Sequence, residues 1–110
     1  MTNNEFKIDK LVILGLGLIG GSLALAARKA GIVGEIVAWG RREPSLKTGL
    51  ALGVIDSYSL DLEEALVGAA VVVVATPTQT AEQVLTKVLS LVDMSCVVTD
   101  VASVKGNLLA

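Results

Sequence analysis

The sequence predicts an α/β fold built on a doubly wound parallel sheet. Three observations carry that prediction. Short apolar runs such as Leu11–Leu14 and Val71–Ala75 read as strands buried on both faces. Those runs alternate with segments whose apolar residues recur at helical spacing. The core is aliphatic: hydrophobic residues make up 53% of the chain, with one Trp, one Tyr and one Phe. Strands alternating with helices form a parallel sheet whose right-handed crossovers place helices on both faces. A length of 110 residues sets one domain.

Each element has its own warrant in the sequence. Residues 1–9 are polar overall and predict a flexible N-terminus, ahead of a domain spanning 10–110. Lys10–Leu14 is the first strand. Leu18–Ala30 is the first helix, with Ile19, Leu23, Ala26, Ala27 and Ala30 on one face and Gly31 positioned to end it. Glu35–Trp39 is the second strand. Glu43–Leu52 is a weaker helix with Pro44 in its first turn and Gly53 beyond its end. Val54–Ile55 predicts a very short third strand. Asp61–Ala69 is a helix with Asp61 as N-cap, Glu63 and Glu64 in the first turn, and Leu62, Ala65, Leu66 and Ala69 on the buried face. Val71–Ala75 is the fourth strand. Thr78–Val92 is a helix with the stripe Ala81, Val84, Leu85, Val88, Leu91 and Val92. Cys96–Asp100 is the fifth strand, and the sheet is expected to be truncated shortly after it.

The junction of the first strand and first helix carries the chemistry. Gly15-x-Gly17-x-x-Gly20 sits between an apolar strand and an amphipathic helix. In that context the spacing reads as a Rossmann-type dinucleotide pyrophosphate site. Gly15 permits the tight turn, Gly17 lets backbone approach the pyrophosphate, and Gly20 lets the helix pack on the sheet. The helix N-terminus then faces the phosphates with free N–H groups and a positive dipole end. A bare strand-to-helix turn needs one glycine rather than three.

An acid at the end of the second strand would bind the ribose 2′-OH of NAD. Here that place holds Gly40, Arg41 and Arg42. Guanidinium forks suit phosphate geometry, so NADP is expected in preference to NAD. The competing reading is a solvated arginine pair, and Glu43 could either pair with an arginine or point at the ribose. After the fourth strand, Thr76 and Thr78 offer hydroxyls to a ribose or caps to the next helix, with Pro77 stiffening the turn. After the fifth, Asp100, Ser103 and Lys105 either converge on the same crevice or act as cap, helix start and solvated charge.

Gly15–Ala24 (GLGLIGGSLA), Ala75–Thr78 (ATPT) and Thr99–Lys105 (TDVASVK) resemble the prephenate/arogenate dehydrogenase family of tyrosine biosynthesis, and Gly53–Leu66 is similar to its usual run. The likeness covers Lys10–Leu109. It implies an NAD(P)-binding domain followed by a helical dimerisation domain, so that the parent enzyme is a homodimer. It further implies oxidation of prephenate or arogenate with hydride transfer to nicotinamide and decarboxylation. By resemblance, Gly15, Gly17, Leu18, Ile19 and Gly20 hold the pyrophosphate. Gly40, Arg41 and Arg42 line the adenosine ribose, Thr76 and Pro77 flank the cofactor, and Ser103 lies beside nicotinamide and substrate. The family's catalytic base is a histidine in a His-Pro segment, and this chain has no His. The chain is therefore expected to be the cofactor-binding part of a longer dehydrogenase and inactive by itself.

Two other readings keep the nucleotide site. One is another NADP-dependent reductase, of the hydroxyacid or pyrroline-carboxylate type. The other is a non-catalytic NADP-binding or sensing domain. A net charge of −2 without a basic run gives nucleic-acid binding no electrostatic footprint. The apolar runs are too short to span a bilayer. A single Cys and no His argue against a disulfide framework and a transition-metal site, and a cytoplasmic location is expected.

Overall fold

The computed structural model describes residues 8–16, 18–40, 43–75, 78–92 and 96–100. In chain order its elements are β1 (Ile8–Leu14), α1 (Leu18–Ala30), β2 (Val33–Trp39), α2 (Glu43–Ala51) and β3 (Ser57–Ser59). Then come α3 (Leu62–Leu66), β4 (Val71–Val74), α4 (Thr78–Leu91) and β5 (Val97–Asp100). The five strands form one sheet in the order β3-β2-β1-β4-β5, with every pairing parallel. This is the Rossmann-like arrangement that the alternation of strands and helices predicts.

Side chains alternate across the strands and divide the core in two. On one face Val12, Leu14, Val37, Val72 and Val74 pack with Leu62, Ala65 and Leu66 of α3 and with Val84 and Val88 of α4. On the other face Leu11, Ile13, Ile36, Ala38 and Val73 pack with Ala24 of α1, Leu46 of α2 and Ile55. Both faces of the sheet are thus covered, as the double winding requires. Among the described residues, no helix is long and apolar enough to cross a membrane.

Several elements differ from their sequence-based bounds or faces. β1 begins at Ile8 because the Ile8 N–H donates to the Ile32 carbonyl at 2.7 Å. Ile8 and Asp9 therefore belong to the sheet rather than to the N-terminal tail. The third strand is not Val54–Ile55 but Ser57–Ser59: Ile55 is buried in the core, and the segment after it pairs its backbone with β2 while the Tyr58 ring packs on the core. The helix predicted over Asp61–Ala69 closes at Leu66, because Val67 takes an extended conformation and Gly68 a left-handed one at φ 71°. Its N-cap is as expected, with the Asp61 carboxylate accepting from the Glu63 N–H at 3.1 Å.

The face of α1 is turned by one residue. Gly20 and Ala24 are buried and Ala27 partly so, whereas Leu23, Ala26 and Ala30 are exposed. The smallest side chains face the sheet because the helix lies close to β1. In α4 Val84 and Val88 are buried as expected, Leu85 and Val92 are half-buried, and Leu91 is exposed.

The edge of the sheet beside β3 is closed by a side chain. Asp56 Oδ2 accepts from the Ile36 N–H at 2.8 Å, and the Asp56 N–H donates to the Ile36 carbonyl at 2.8 Å. The same carboxylate oxygen pairs with Arg28 Nη2 of α1 at 3.1 Å.

Leu14 is fully buried, while Leu89 on α4 is exposed. Leu14→Ala is expected to cost about 2–5 kcal/mol of stability. Leu89→Ala should stay within about 0.5 kcal/mol of the parent. Urea unfolding midpoints at unchanged slope test both.

Candidate functional site

All five strands are parallel, so their carboxyl ends share one edge, and the segments singled out in the sequence leave from it. Leu14 is paired with Trp39 on one side and Val74 on the other, and Val74 is paired with Asp100. Strand order reverses between β1 and β4, and open α/β sheets bind ligands in the crevice at that switch. The Gly15 N–H donates to the Trp39 carbonyl at 2.7 Å, and the Ala75 N–H donates to the Leu14 carbonyl at 2.8 Å. These two bonds tie the first residues after β1 and β4 to the neighbouring strand ends.

The glycine turn is shaped by the lack of side chains. Gly15 has φ 97°, a conformation that a residue with a Cβ rarely adopts. A Cβ on Gly20 would run into the Gly15 carbonyl oxygen and touch the Ile13 side chain at 3.0 Å. The oxygen belongs to the backbone of the turn, so it cannot move aside without changing the turn. The turn leads into a 13-residue helix with no acidic residue in its first turn, leaving the positive dipole end unopposed. A second helix supports the turn from behind. Leu16 packs onto Gly49 of α2 so closely that a Cβ there would lie 2.5 Å from Leu16 Cδ2. A turn of this shape at a helix N-terminus fits a dinucleotide pyrophosphate.

Beyond the turn, the site residues expected from the sequence are only partly in view. Leu18 and Ile19 are the first two residues of α1. Gly40 directly follows β2, and a Cβ on it would meet Leu46 at an ordinary 3.6 Å. Packing therefore admits a Cβ at Gly40. Gly17, Arg41, Arg42, Thr76, Pro77, Ser103 and Lys105 lie outside the described residues.

Beside this edge lies a cleft of about 660 Å³. Its walls are Trp39, the turn from Leu60 to Glu63, and Gln83, Val84 and Lys87 of α4. The Trp39 Nε1–H donates to the Leu60 carbonyl at 3.1 Å, which fixes the indole against that turn. The lining combines an aromatic ring and aliphatic side chains with an amide and charged groups. Of these residues, Asp61, Leu62, Glu63 and Val84 are marked by the sequence only as helix-cap, first-turn or core positions. Apart from Trp39, the lining residues come from the turn before α3, from α3 and from α4, and no local spacing links them to β2.

Tyr58 also acquires a role that its position in the sequence did not suggest. It lies in β3, and its hydroxyl donates to Glu43 Oε2 in the first turn of α2 at 2.8 Å. The hydrogen bond to Glu43 pushes the phenol above its ordinary pKa, with burial and the carboxylate's charge adding to it. Tyr58 accordingly stays a protonated donor through the neutral range.

The family model described as prephenate dehydrogenase, nucleotide-binding domain, matches residues 23–110. The chain belongs to the prephenate dehydrogenase family. The prephenate dehydrogenase of Bacillus subtilis (strain 168) is 34% identical over 103 residues, which are 93% of this chain and 28% of that protein. The arogenate dehydrogenase of Synechocystis has a TM-score of 0.75 at 28% identity, over 83% of this chain and 32% of its own. A prephenate dehydrogenase from A. aeolicus, solved with hydroxyphenyl propionate and NAD+, has a TM-score of 0.80 at 24% identity, a likeness of fold. It is matched over 87% of this chain and 34% of that one. The chain thus spans about a third of the length of these relatives.

Gly20 and Gly21 of this domain make opposite predictions, because a Cβ on Gly21 meets nothing within 4 Å. Gly20→Ala is expected to lose about 1–3 kcal/mol by overpacking the turn. Gly21→Ala should gain up to about 1 kcal/mol from helix propensity. Thermal unfolding of the two variants separates them.

Proposed function

We propose that this domain binds NADP in preference to NAD and supplies the cofactor half of a longer enzyme that oxidises prephenate or arogenate. The observation that carries this reading is the turn at Gly15–Gly20. Its shape excludes a Cβ where helix meets strand, and it stands at the switch point of a sheet in a chain of this family. The chemistry supplied by the bound cofactor is acceptance of hydride at nicotinamide as the ring carbinol is oxidised and the ring carboxylate leaves as carbon dioxide.

The residues of this chain bind and orient. Gly15, Gly17, Leu18, Ile19 and Gly20 take the pyrophosphate on backbone N–H groups and the α1 dipole. The cleft beside Trp39 receives adenine. Arg41 and Arg42 take the 2′-phosphate next to Gly40, where a Cβ would fit but no acid is present. Thr76 and Pro77 flank the cofactor after β4, and Ser103 lies towards nicotinamide and substrate. With no His in the sequence, the proton taken from the substrate hydroxyl goes to a base that this chain does not supply. The resemblance supports a homodimeric parent, assembled through a helical domain.

Calorimetric titration with both cofactors tests the preference. NADP should bind at least about tenfold tighter than NAD, the scale of one or two charge-assisted contacts. Arg41→Ala or Arg42→Ala should weaken NADP and leave NAD nearly unchanged. Equal binding of the two cofactors by the parent chain would overturn the preference. The chain is also expected to form no NADPH from prephenate or arogenate by itself, and measurable turnover would refute the assignment of the base to the rest of the parent enzyme.

A further inference from the structure

We infer that Tyr58 is a positioning residue for cofactor selectivity, holding the Glu43 carboxylate against β3 and off the ribose 2′ position. The inference rests on the reading of the β2 end as a 2′-phosphate site.

Glu43 is the third residue after Gly40 and directly follows Arg41 and Arg42. A carboxylate free to swing from that point has two harmful options. It can accept from the ribose hydroxyls, which favours NAD, or pair with an arginine and compete with the phosphate. The structure gives it a third partner. Glu43 Oε2 accepts from the Tyr58 hydroxyl at 2.8 Å, and the carboxylate is partly buried there. Tyr58 is well anchored: its backbone pairs with β2 opposite Ala38, and its ring packs on the core between the sheet and α1 and α2. The first turn of α2 stabilises negative charge at Glu43 in the same position. A tyrosine serves here because its hydroxyl reaches the carboxylate while its ring stays in the core.

The test compares dissociation constants for NADP and NAD in the parent chain, Tyr58→Phe, Glu43→Gln and the double variant. Tyr58→Phe keeps the ring and frees the carboxylate. It should narrow the NADP-to-NAD preference by about three- to fivefold, the size of one partly exposed charge interaction. Glu43→Gln by itself should keep or widen the preference. Added to Tyr58→Phe, it should restore the preference, since no charge remains to be misdirected. A purely structural tyrosine would weaken both cofactors equally, and Glu43→Gln would not rescue it; that result overturns the inference. An NADP-preferring parent chain whose preference is unchanged in Tyr58→Phe overturns it as well, while leaving the 2′-phosphate reading intact. A parent chain without preference for NADP removes that reading and the inference together.

Discussion

The contact between Gly20 and the Gly15 carbonyl governs this structure. It sets how near α1 can lie to β1, and so where the first helical N–H groups stand relative to the end of the strand. A single methyl group at Gly20 would force the turn and helix apart. The small residues facing the sheet along α1, Gly20 and Ala24, keep the same close approach for a further turn. The price is an apolar stripe too narrow to hold Leu23, which stays exposed. Stability is recovered elsewhere, in the Val, Leu and Ile side chains that fill both faces of the sheet.

Those two cores also do the positioning. Strands covered on both faces have little freedom to slide, since a shift of one residue would exchange the sets of side chains pointing to each face. With β1, β2 and β4 in fixed register, the starts of three connecting segments lie side by side at the carboxyl edge. Leu16 adds a link between the turn and α2 through Gly49. The helix that begins beside Arg41 and Arg42 in sequence is thereby coupled to the loop after β1 by direct packing.

Much of this was legible in the sequence, because it rests on local signals. Apolar runs mark strands, a strand–glycine–helix order marks the turn, and Asp61 marks a helix start. Parallel topology follows from the alternation. The errors come from non-local packing. The face of α1 departs from the sequence pattern because periodicity favours the larger apolar residues, while close approach to β1 favours the smallest. β3 lies at Ser57–Ser59 rather than Val54–Ile55 because Ile55 fills the core, whereas Ser57–Ser59 pairs with β2 and sets the Tyr58 ring against the core. The cleft beside Trp39 and the Tyr58–Glu43 bond join residues from separate elements, and nothing in their spacing announces them. Arg41 and Arg42, singled out by residue type and place, and Ser103, singled out by resemblance, lie outside the described residues.

Asp56 has a consequence for how the molecule behaves among its own copies. β3 is only three residues long, so it covers little of β2. A strand with open N–H and C=O groups invites another chain to pair with it. At Ile36 both groups are already satisfied by Asp56, through its carboxylate and its own N–H. An incoming strand would have to displace that carboxylate from the Ile36 N–H and disturb its ion pair with Arg28. The aspartate thus extends the cover of β2 by one residue beyond β3 and occupies the two groups that an incoming strand would use at Ile36.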